Sequence, residues 1–177
     1  MKKEGVERKY LSEFVYGGID GAVTTFAIVA GVMGASLSAA VALILGFANL
    51  FADGFSMAIS NYLSTKSQFE VASKHMKSHL SKKSPIRTAL ATFTSFILIG
   101  FIPLISFVLA YFIPSLEQYK FTYSIAFTAL AFLVVGGLRG KIANKSFIRT
   151  AIETLLIGSL AATIAFLVGY LLRNIVI

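Results

Sequence analysis

Four runs of this chain carry no charged residue: 21–52, 88–116, 121–138 and 154–172. A helix rises about 1.5 Å per residue, so roughly 20 apolar residues cross the hydrocarbon core of a bilayer. The last three runs each supply about one crossing. The first is too long for one, and Gly31-Val32-Met33-Gly34-Ala35-Ser36 in its middle reads as a turn. It therefore splits into two helices, with Asp20 inside the first and Asp53 inside the second. The expected fold is an all-α integral membrane protein with five transmembrane helices, near 14–33, 38–63, 87–112, 121–138 and 150–172. Residues 1–177 then form a single transmembrane domain.

Composition agrees. Only 14% of the 177 residues are charged and mean hydropathy is +0.80, whereas a soluble domain carries about 25% charged residues. The chain has no cysteine, which excludes disulfides, zinc–thiolate sites, iron–sulfur clusters and thiol catalysis. Residues 1–13 form a charged, mildly amphipathic leader, expected to lie on the membrane surface. No small-residue cleavage site follows a short apolar core, so this is not a cleavable signal peptide.

The net charge of +8 is placed for a membrane rather than a nucleic acid. Lys2, Lys3, Arg8 and Lys9 precede the first span. Lys66, Lys74, Lys77, Lys82, Lys83 and Arg87 belong to the loop at 64–86 and its edge, and Arg139, Lys141, Lys145 and Arg149 join spans four and five. These segments fall on one side of a five-span topology and hold fourteen of the sixteen basic residues. The positive-inside bias makes that side cytoplasmic, with the N-terminus inside and the C-terminus outside. The same basic loops suit anionic lipid headgroups.

Chemistry is sought in the polar groups that lipid disfavours. An Asp at a helix centre costs roughly 2.5–3.5 kcal/mol on insertion scales. Because the first two spans run in opposite directions, Asp20 and Asp53 both fall in the cytoplasmic half, at roughly 9 and 13 Å depth by helical rise. On the second span Asn49, Asp53, Met57 and Asn61 recur every four residues along one face. Carboxylate and amide oxygens with a thioether suit a divalent metal, hard or moderately soft. The same residues also fit a polar seam between helices, and spacing alone leaves both readings open. Gly17, Gly21, Gly31 and Gly34, with Ala27 and Ala30, suit close helix approach. Five helices enclose little space, which favours a homodimer with the path on its two-fold axis.

The segment Phe14-Val15-Tyr16-Gly17-Gly18-Ile19-Asp20-Gly21 followed by Phe26-Ala27-Ile28-Val29-Ala30-Gly31 resembles the opening of the vacuolar iron transporter family. So do the run from Gly54 through Ser56-Met57-Ala58 to Asn61-Tyr62-Leu63-Ser64 and on to Ser67, the run from Pro85 to Pro103-Leu104, and Leu155-Leu156-Ile157-Gly158. The resemblance implies a five-helix dimer with a pore between protomers. It also implies export of Fe2+ or a related divalent metal such as Mn2+ from the cytoplasm in exchange for protons, with no permanently bound cofactor. Asp20 matches the family's first-helix metal-binding aspartate and Met57 its second-helix methionine. Where many members carry a glutamate eight residues before that methionine, this chain has Asn49, and Asp53 stands one turn further on. A long glutamate-rich insertion that many members carry between spans two and three is replaced here by a short basic loop with Glu70 as its acid, as in the vacuolar-iron-transporter-like branch.

The expected metal residues are thus Asp20, Met57, Asp53 and Asn49, with Asp20 also carrying the proton coupling. Asn61, Glu153, His75 and His79 are secondary candidates. The two histidines sit four apart and would share a helix face. Glu153 would pair with Arg149 four residues earlier or face the mouth of the path. No nucleophile–base pair supports an enzyme. A non-transporting membrane scaffold, or a transporter of another cation, is the alternative. The expected location is the plasma membrane of a prokaryote.

Overall fold

A computed structural model describes residues 9–74 and 83–176; His75 and His79 lie outside the described residues. The described residues are helical and turn, without strands. They form α1 (Leu11–Gly34), α2 (Ala39–Lys74), α3 (Pro85–Gly100), α4 (Ile102–Phe112), a short 3-10 turn (Pro114–Tyr119), α5 (Lys120–Ile142) and α6 (Phe147–Val176). Four of these stretches are long and apolar enough to cross a membrane, and the bent pair α3–α4 makes a fifth.

Several boundaries shift by a few residues from the sequence expectation, and two of the shifts bear on the site. α1 begins at Leu11, inside the segment read as a surface leader. α2 continues to Lys74, well past the expected end at residue 63. Lys66 and Glu70 end the apolar signal but not the helix, because no Gly or Pro interrupts the chain between Gly54 and Pro85.

The third span is bent by 47° between α3 and α4. Pro103 has no N–H to give to the carbonyl four residues back, and its ring crowds that turn. The helix stops with Phe101 N–H on Ile97 O at 2.9 Å and restarts with Leu104 N–H on Phe101 O at 2.9 Å. From α5, the buried Ser124 Oγ donates to Pro103 O at 2.6 Å and holds the corner.

α1 is the hub, in contact with α2, α3, α4, α5 and α6. Its glycines make this possible. A Cβ on Gly17 would stand 2.5 Å from Thr92 O, and one on Gly21 would stand 2.5 Å from Phe96 O. Gly34 meets Phe166 of α6 in the same way. These close approaches are therefore made inside one protomer, against α3 and α6. The apolar core holds Val29, Val32, Ala42, Leu50, Phe96, Leu104 and Phe107. Buried hydroxyls within the helices are mostly satisfied locally: Thr92, Thr128 and Thr154 each donate to the carbonyl one turn back. By contrast α2 leaves Ile44, Phe51, Phe55 and Leu63 exposed.

A candidate metal path between α1 and α2

The turn joining α1 to α2 passes through Ser36, whose φ of 54° is left-handed, and returns the chain antiparallel. Asn49 Nδ2 on α2 then donates to Thr24 Oγ1 on α1 at 3.2 Å. Thr24 Oγ1 donates in turn to Asp20 O, the backbone carbonyl one turn back, at 2.9 Å. In an antiparallel pair, stepping one turn back along α1 and one turn forward along α2 preserves the match. The register that sets Asn49 beside Thr24 thus sets Asp53 beside Asp20.

The two carboxylates answer to this register. Both are half-buried. Among the described residues neither accepts a hydrogen bond or an ion pair from another side chain. Thr24, a natural partner for Asp20, spends its hydrogen on the backbone instead. Two like charges on adjacent helices without a counter-charge repel each other, which is a suitable arrangement for a cation shared between them.

Asp20 also lines a groove of about 480 Å³, together with Tyr16, Ile19, Val23, Arg139 and Ile157. Arg139 Nη2 lies 3.6 Å from Glu153 Oε1. Glu153 is thereby paired across two helices with Arg139, rather than with Arg149 on its own. Arg139, read from sequence as a topology signal, stands on the same groove as Asp20.

The remaining candidates divide. Met57 is half-buried and packs against the apolar core. Asn61 Nδ2 donates to Thr92 Oγ1 on α3 at 2.6 Å. Asn49, Asp53, Met57 and Asn61 thus follow the seam of α2 with α1 and α3. No group of three or more His, Asp or Glu side chains gathers among the described residues, so Asp20 and Asp53 stand as a pair. Sequence reasoning missed Thr24 as the residue fixing the register, and Glu13 as part of the same seam. The signal for Glu13 was its spacing of seven residues from Asp20, two turns along one helix face.

Known proteins resemble this chain along nearly all of its length. A sequence model of the VIT family matches residues 11–82 and 70–170, nearly the whole chain. A vacuolar iron transporter of Plasmodium berghei is 25% identical over 230 aligned positions, covering 96% of this chain and 84% of that protein. One of Toxoplasma gondii is 25% identical, covering 94% and 76% respectively. Vacuolar iron transporter homolog 4 of Arabidopsis thaliana is 29% identical over 167 positions, covering 89% of this chain and 81% of the plant protein. The Plasmodium alignment is longer than the 177 residues available, so that relative has segments with no counterpart here. With the apolar spans and the sequence match in agreement, the chain belongs to the VIT family.

Proposed function

We propose that this protein is a membrane transporter that moves a divalent transition metal, Fe2+ or Mn2+, out of the cytoplasm in exchange for protons, and that it works as a homodimer. The observation that carries the reading is the Asn49–Thr24 bond, whose register sets Asp20 beside Asp53, two half-buried acids within apolar spans. Holding two carboxylates at that depth costs roughly 5–7 kcal/mol on insertion scales, a cost that a bound cation or a proton offsets. The names of the relatives, vacuolar iron transporters, support the cargo class.

In this mechanism Asp20 alternates between proton and metal. Asp53 shares the cation, while Asn49 holds Thr24 and so keeps the two helices in register. A second copy of the chain would bring a second pair of carboxylates to the axis, giving a charged site that one chain's pair does not complete. Met57 would offer its thioether once it turns from the core, favouring a softer ion over Ca2+ or Mg2+. The positive-inside bias places the basic end of the bundle in the cytoplasm, so metal would arrive at Asp53 and Asp20 from that end.

The test is flux of Fe2+ and Mn2+ in liposomes under an imposed pH gradient, for the native protein beside Asp20→Asn. Gradient-driven flux that disappears in the variant supports the reading. Equal flux in both removes Asp20 from the mechanism, and no flux from a folded native dimer points to a scaffold or another cargo.

A further inference from the structure

Beyond Asn61, the α1–α2–α3 seam opens into a cavity of about 230 Å³. Its wall is mixed, with Glu13, Asn61, Ser64, Gln68 and Lys83 supplying the polar groups beside Phe69. Asn61 lines it and is the last member of the polar row that begins at Asn49, so the cavity continues the line of Asp53 and Met57 along α2. Water fits such a space, and so does a cation that keeps part of its hydration shell.

One side of this cavity is tied together. Lys83 Nζ lies 2.7 Å from Glu13 Oε1 and donates to Ser12 Oγ at 3.2 Å. Next to it, Ser84 N–H donates to the Tyr10 hydroxyl at 2.9 Å. These contacts join the beginning of α1 to the residues leading into α3, segments some seventy positions apart in sequence. The Glu13 side chain is 15% exposed and that of Lys83 is 29% exposed. The pair is therefore sheltered enough to persist, yet wet enough to open without leaving a charge stranded.

We propose that the Lys83–Glu13 pair is a latch over this cavity, and that the cavity is the vestibule through which a hydrated cation approaches Asn61 and the carboxylates behind it. The proposal rests on the transport reading given above. Lys83 is a tethered cation occupying the carboxylate that a free cation would meet, and it holds that position until the pair opens. An ordinary structural staple would share the geometry but would not govern access to the cavity.

The absence of cysteine from the chain makes the test direct. In the full-length protein, Ser64→Cys places a sole thiol on the cavity wall, and its modification by a small cationic methanethiosulfonate reports access. Lys83→Met, or Glu13→Gln should the first variant fold poorly, is expected to raise the modification rate severalfold. The exchange Glu13→Lys with Lys83→Glu is expected to restore slow labelling, and raised salt to accelerate it in the native pair. A rate indifferent to Lys83, Glu13 and salt overturns the latch. Metal flux at low concentration is expected to rise in Lys83→Met, and flux identical to that of the native protein, alongside accelerated labelling, overturns the vestibule. Labelling needs no transport, so a failure of the latch is distinguishable from a failure of the transport reading.

Discussion

Asn49 Nδ2 meets Thr24 Oγ1 at 3.2 Å across α1 and α2, and this one bond decides which residues face each other along the whole seam. One turn toward the basic end it aligns Asp53 with Asp20. Further along it brings Asn61 and Glu13 to a common cavity. The polar row of α2 thus meets α1 at Asn49 and, by register, at Asp53, while Asn61 bonds Thr92 of α3.

If that bond holds the register, Thr24→Val should cost about 1 kcal/mol of helix association, the size of an interhelical hydrogen bond in a membrane protein. Denaturation in mixed micelles would measure it. Asn49→Ala should cost about the same, and the double variant little more than either alone. Strict additivity would mean that the two side chains do not interact.

The glycines of α1 are expected to differ in tolerance. At Gly21 a Cβ would press on Phe96 O at 2.5 Å, while at Gly31 it would rest 3.5 Å from Ala165 O. Gly21→Ala should therefore lose roughly 1–3 kcal/mol through overpacking, and Gly31→Ala should fold as the native protein does. Size-exclusion profiles after mild heating would rank them.

Much of this was legible beforehand, and the limits are physical. A charge-free run reports a membrane span directly, and a lone Asp inside one reports an unusual site. Small residues in α1 signalled close helix contact, but not the partner: Gly17 and Gly21 meet α3, while Gly34 meets α6. The register of α1 against α2 depends on a turn and a bond between residues 25 positions apart, which no local pattern encodes. Arg139 and Lys83 were hidden by the topology signal, since a basic residue near a membrane surface has an ordinary reason to be there. The bend in the third span was available in Pro103, though its clamp by Ser124 was not.

That clamp gives a further expectation. Ser124→Ala removes this donor to Pro103 O within a buried corner. A loss of about 1 kcal/mol, that of one hydrogen bond, is expected. Pro103→Ala, which restores an N–H and relieves the ring clash, should straighten the span, as distance measurements between spin labels on α3 and α4 would record.

Arg139 and Glu153 should matter more to cargo than to folding. Their 3.6 Å pair is substantially exposed, so its loss costs under about 1 kcal/mol. Arg139 nevertheless lines the groove that reaches Asp20. Arg139→Gln removes a positive charge there and should lower the metal concentration for half-maximal flux, whereas Glu153→Gln should raise it. Equal changes in stability without any change in flux would assign the pair a purely structural part.

The central claim is that Asp20 and Asp53 form one site, and a double-mutant cycle on metal binding tests it most directly. Binding of Mn2+ to the purified protein would be titrated for the native chain, Asp20→Asn, Asp53→Asn and the double variant. A shared site predicts that each single change removes most of the affinity and that the double change removes little beyond the larger single one. Fully additive losses, or native affinity in either single variant, would contradict it.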